Sequence, residues 1–179
     1  MPTRSEILDH AIAVVQAGEP LTIDAVARAS GLTKPGVVHH FKTKEALTEA
    51  LMDRIAERWE TSMAARTPDG SDPVQRLRAY VEYALTDSFD QSDLVMFADV
   101  RLREQLRERW VERMDPWFGM SIKGPVQYRA RLRAARILAD GAWFNKALGV
   151  STSRADEQNA IRAIALNLLG DSGIKGEAE

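Results

Sequence analysis

The most restrictive feature of the sequence is a row of apolar residues, Leu47, Leu51, Ile55, Trp59 and Met63, that recurs every four positions through residues 43–66. Only an α-helix brings such positions onto one face, and at ~1.5 Å per residue this one would run roughly 36 Å, long enough to leave one small packed unit and enter another. The rest of the chain has the same character. Apolar residues fall at helical spacing between breaks marked by Gly and Pro, and no alternation of β-branched residues extends beyond a few positions. The expected fold class is all-α.

Nine helical segments can be placed. Ile7, Leu8, Ala11, Ile12 and Val15 share a face in residues 5–17, before Gly18 and Pro20 end the first helix. Thr22 caps a short second helix that Gly31 closes, Thr33 caps a third running to about His40, and Thr43 opens the long fourth. A turn-rich stretch, 67–72, precedes a fifth helix over 73–89. Residues 91–119 read as two helices broken near 101–104, and a loop follows to residue 125. Helices over 126–148 and 153–170 complete the set, and 171–179 read as a frayed end.

Composition narrows the chemistry. The chain has no cysteine, and its three histidines, His10, His39 and His40, all lie within the first forty residues. No Ser-His-Asp set, phosphate-cradling glycine loop or HExxH motif is present, so neither catalysis nor a cofactor is expected. A metal site is not expected either, because His39 and His40 are adjacent and diverge by ~100° on a helix. The longest apolar runs are only a few residues, and the start lacks the basic and long apolar regions of a secretory signal. No contact with a membrane and a cytoplasmic location are therefore expected. With a net charge of −2, any binding to nucleic acid has to come from a local patch.

Residues 22–41 supply a candidate. Two short capped helices joined at Gly31 have helix-turn-helix spacing, with Ala27 small where the helices cross and Val26, Leu32 and Val37 available for a core between them. In such a unit the start of the second helix enters the major groove, which here means Thr33, Lys34, Pro35, Gly36 and Val37. Pro35 loses no hydrogen bond so early in a helix, and Gly36 lets the backbone approach DNA closely. Lys34 can donate to guanine or to phosphate. Thr43 and Lys44 open the fourth helix, whose first amides favour a phosphate. Residues 1–50 hold Arg4, Arg28, Lys34, Lys42 and Lys44 against six carboxylates, so a DNA face requires segregation of charge.

The order Thr22, Val26, Ala27, Ser30, Gly31, Leu32, Thr33, Val37, His40, Phe41, Thr43, Lys44 and Leu47 resembles the DNA-binding domain of the TetR/AcrR family of one-component repressors. One position departs: Val38 stands where most members have a Tyr that often touches phosphate, and His39 is the polar neighbour. The resemblance implies a nine-helix, two-domain subunit, with a three-helix helix-turn-helix domain over 1–50 and a ligand-binding and dimerisation domain over 51–179. It also implies a phosphate or capping role for His40, a homodimer formed by the last two helices, and a palindromic double-stranded DNA operator; Thr22 can both cap the second helix and touch phosphate, and His39 is the candidate to stand in for the missing Tyr. Leu132, Ile161, Ile164 and Leu168 are the residues of those helices assigned to the dimer contact.

All four tryptophans lie after residue 50. Trp59, Met63, Tyr83, Phe97, Trp110, Met114, Trp117 and Trp143 are the candidate lining of a pocket for a small, largely apolar effector, with Asp140 as its inward polar group. An arginine-rich stretch, Arg129, Arg131, Arg133 and Arg136, reads as a solvated face. The function expected is a ligand-responsive transcriptional regulator, a repressor released by its effector. The alternatives are the same architecture without small-molecule sensing, and a helical protein-interaction module.

Overall fold

Threonine side chains set the starts of the first four helices. The computed structural model describes residues 2–97, 99–150 and 154–170, and the frayed end expected at 171–179 lies outside the described residues. The Thr3 hydroxyl accepts from the Glu6 amide while the Glu6 carboxylate accepts from the Thr3 amide, a reciprocal cap on α1 (Arg4–Gln16). Thr22 accepts from Ala25 N at 3.0 Å and opens α2 (Ile23–Ser30). Thr33 accepts from Gly36 N at 3.2 Å and opens α3 (Lys34–His40). Thr43 accepts from Ala46 N at 3.1 Å and opens α4 (Lys44–Ala64).

Between α2 and α3 the chain turns on Gly31, whose φ of +68° lies in the left-handed region. A Cβ placed there would meet nothing within 4 Å, so the cost of a larger residue is that of the backbone alone. Gly31→Ala is expected to lower stability by about 1 kcal/mol, read from urea unfolding. An unchanged midpoint would mean that the turn can relax.

The periodic row on α4 forms one buried seam: Leu47, Leu51, Ile55, Trp59 and Met63 are each no more than 1% exposed. Helix α4 packs against α1, α5 (Pro73–Thr86) and α6 (Arg103–Met114), with α6 reaching it from Glu49 to Glu60. A single apolar core runs along it from Ile7 to Leu169. Two further helices, α7 (Val126–Ala147) and α8 (Ala155–Leu168), pack on α5 and on each other.

Two segments differ from expectation. The fifth helix ends at Thr86, because Lys146 reaches across from α7 and donates to the carbonyls of Ala84, Leu85 and Asp87 at 3.3, 2.8 and 2.9 Å. The sixth is a 3-10 helix, Gln91–Phe97, so the described residues hold eight α-helices rather than nine. Carboxylates spaced three apart favour the tighter winding, Asp90 accepting from Ser92 N and Asp93 from Asp90 N. Asp93 is also pulled inward, since its other oxygen accepts from Trp59 Nε1 at 2.8 Å and Arg58 at 2.6 Å.

Candidate functional site

The helix-turn-helix exposes the start of α3 and buries its middle. Thr33, Lys34, Pro35 and His39 are exposed, Gly36, Val38 and His40 are half-buried, and Val37 has no exposed surface. Val37 is therefore not the base-reading residue proposed from its position. With the core residues Val26 and Ala27 it holds α3 against α2, because the helical turn that presents Lys34 outward points position 37 inward. Thr22 is half-buried and engaged as a cap, while Thr43 and Lys44 are exposed at the start of α4. A Cβ at Gly36 would make ordinary contacts, 3.4 Å from Thr33 Oγ1 and 3.5 Å from Leu32 Cβ, so the protomer itself does not demand glycine there.

Both lysines already have partners. Lys34 donates to Asp24 at 2.9 Å, an exposed pair worth little in water and easily exchanged for a phosphate. Lys44 lies 3.9 Å from Asp99 and its neighbour Glu45 lies 3.7 Å from Arg101. Hydrogen bonds from Arg101 hold the Asp99 carboxyl below its usual range, so it stays charged opposite Lys44. These contacts join the segment before α6 to the first turn of α4. Sequence reasoning missed them, because nothing local links positions 44 and 99. It also missed Arg4, whose guanidinium stacks 4.7 Å from the Phe41 ring at the end of α3.

Farther along α4, ion pairs fasten it to α6. Arg109 reaches Asp53 at 2.8 Å and Glu49 at 3.6 Å, and Arg113 pairs with Glu60 and donates to the Asp53 carbonyl. These pairs tie α6 to the helix that carries Lys44.

The proposed pocket lining divides in two. Trp59 is filled in on all sides, its ring centroid 5.0–6.1 Å from those of Tyr80, Tyr83, Phe89, Trp110 and Trp143. Met63 and Met114 are fully buried in the same core, Trp117 is half-buried, and Phe97 is exposed beside Phe144. Open space lies instead against α7. One cleft of about 480 Å³ is walled by Tyr80, Trp110, Phe118, Trp143 and Phe144, with Asp140 and Arg136 among them. Asp140 accepts the Tyr80 hydroxyl at 2.5 Å and lies 3.4 Å from Arg136 Nε. Burial pushes both the Asp140 carboxyl and the Tyr80 phenol above their ordinary values. Tyr80 carried no mark in the sequence, and Arg136, read there as part of a solvated face, instead lies over Phe118 and beside Asp140. Among the described residues no group of His, Asp and Glu is placed to hold a metal.

A second cleft, about 290 Å³, lies between α7 and α8 and is lined by Leu85, Ile137, Leu138, Gly141, Lys146 and Ile161 among others. Ile137 and Ile164 are 69% and 57% exposed, an apolar face on the last two helices without a partner in the protomer. Ile161 and Leu168 are half-buried beside it. Leu132 is 2% exposed and belongs to the interior, because its side of α7 faces α5, so the assignment of Leu132 to a dimer contact is corrected. Of the arginine-rich stretch, Arg131 caps α8 through the carbonyls of Asn167 and Gly170.

Comparison with known proteins gives two family matches. Residues 7–51 match bacterial regulatory proteins of the tetR family, and residues 74–169 match the tetracyclin repressor-like C-terminal domain. Among solved structures, the multidrug binding protein EbrR in complex with imidazole has a TM-score of 0.62 to this chain at 21% identity, over 97% of this chain and 96% of that one, which speaks to the fold. No curated protein matches.

Proposed function

The chain belongs to the TetR family of bacterial regulators, and from that premise we propose that it is a dimeric repressor of transcription, released from a palindromic operator by a small, largely apolar effector. The observation that carries this reading is α4. It begins at Thr43 and Lys44 beside the exposed end of a helix-turn-helix and ends inside the aromatic domain, tied to α6 by Arg109 and Arg113. Lys34, Lys44, Thr33, Thr43 and the two adjacent histidines then meet the operator, with Gly36 allowing close approach. An effector that binds better to the protomer off DNA tilts α4 and changes the spacing of the two α3 helices. A ~100-fold release needs a differential affinity of about 2.7 kcal/mol. The relative described as multidrug binding supports an effector site in this fold. No helix among the described residues is long and apolar enough to cross a membrane, which suits a regulator acting in the cytoplasm.

The test is fluorescence anisotropy of the protein on labelled DNA from upstream of its own gene, at two salt concentrations, with scrambled DNA as competitor. Tight binding that survives the competitor supports the reading; binding that falls equally for both DNAs on every promoter fragment tried overturns it. A second reading rests on the filled space around Trp59: the same DNA-binding protein answering to a protein partner and to no small molecule.

The unpartnered face of α7 and α8 supports the dimer. Ile164→Glu would set two like charges against an apolar contact in a twofold arrangement, and a rise of about 100-fold or more in the dimer dissociation constant is expected. Sedimentation of the variant at micromolar concentration should show a monomer, and a dimer of unchanged affinity would place the interface elsewhere.

A further inference from the structure

The polar groups of the larger α7 cleft are unevenly satisfied. Its carboxylate has what it needs: Asp140 accepts the Tyr80 hydroxyl and faces the Arg136 charge. Its donors are less fully engaged. Arg136 stacks 3.6 Å over the Phe118 ring, its buried Nε faces the Asp140 carboxylate at 3.4 Å as an ion pair without hydrogen-bond geometry, and its Nη1 reaches the Met120 sulfur at 3.6 Å. The indole N–H of Trp143 is directed at the Tyr80 oxygen, close enough to act on the phenol as a hydrogen bond does, but it falls short of full hydrogen-bond geometry. A buried donor left unpaired is costly, and a guanidinium with spare N–H groups is suited to a planar oxyanion, which it can meet with two parallel hydrogen bonds.

Resting on the reading of this protein as effector-responsive, we propose that the cleft takes an aromatic carboxylic acid: its rings lie among Trp110, Phe118, Trp143 and Phe144, and its carboxylate meets Arg136 and the Trp143 N–H. An aromatic cation would have to compete with Tyr80 and Arg136 for Asp140, whereas the acid shares Arg136 with Asp140, whose charge the Tyr80 hydroxyl already offsets. The acid adds acceptors where they are short and carries its apolar rings into an aromatic wall.

Three compounds with one ring system separate these chemistries: 1-naphthoate, 1-naphthylmethanol and 1-naphthylmethylammonium, each titrated calorimetrically into the full-length protein without DNA. Naphthoate is expected to bind at least ~10-fold more tightly than the alcohol and the ammonium, the scale of one charge-assisted hydrogen bond. Arg136→Gln, at the partly exposed rim, should abolish the preference for the acid, and Trp143→Phe should weaken naphthoate about tenfold while keeping an aromatic wall. Cooperative melting of both variants establishes that they fold, and either one suffices if the other does not. Equal binding of all three compounds, preference for the ammonium, no binding of any, or naphthoate affinity untouched by Arg136→Gln overturns the proposal. Specific DNA binding is measured separately on the same preparations, so a cleft that refuses the acid leaves the regulator reading standing. That reading fails only if no sequence-specific complex forms.

Discussion

Lys44→Ala is expected to weaken binding to every DNA sequence by about 30- to 100-fold, without changing the order of preference among them. The residue is the first of α4, next to the Thr43 cap and the free amides of the first turn, where a phosphate is favoured. Its ion pair to Asp99 is long, at 3.9 Å, so little is lost when the ammonium turns to DNA. A twofold dimer carries the substitution twice, which squares the effect of one contact. The logarithmic dependence of affinity on salt should become shallower by about 2, since two fewer phosphates are neutralised. Anisotropy titrations of wild type and variant over a range of salt measure both quantities. If neither moved, the start of α4 would not touch DNA, and the docking of α3 would have to be redrawn.

Trp59→Ala should be the most damaging single change to stability, at about 4 kcal/mol and a fall in melting temperature of roughly 10 °C. The side chain has no exposed surface and meets five other aromatic rings, which cannot all close over the space it leaves. Its N–H is also one of the donors to the buried Asp93, which would be left to Arg58 and a backbone amide. Trp59→Phe separates the two contributions by keeping a ring and losing the donor, and should cost about half as much. Denaturant unfolding of both variants tests this, and a loss below about 1 kcal/mol for the alanine would show that the cluster can repack.

What could be read from the sequence was local or periodic. The α4 seam follows from spacing alone, and the starts of α2, α3 and α4 from threonines placed before apolar runs. Gly31 followed from its position after the last turn of α2. The residues that escaped are those whose meaning depends on distant partners. Asp140 reads from the sequence as an inward polar group, but its partner Tyr80 is sixty positions away, and only the packing of α5 on α7 brings the two together. Val37, offered both to the core and to the groove, and Leu132 sit at positions where helix phase decides between surface and core, and the structure decides both for the core. The 3-10 segment escaped for a related reason: nothing local marks Asp93 as the partner of Arg58 and Trp59, which draw it inward.

The unbroken seam along α4 also bears on how such a protein can be taken apart. A cut after residue 51, where the first family match ends, would sever the helix in mid-stripe and leave Leu47 and Leu51 without the turns that follow. The exchangeable module therefore ends after Ala64, at the polar turn 67–72. A chimera that grafts this reading head onto another sensor should inherit the whole of α4, together with the partners of Asp53 and Glu60 on the recipient side.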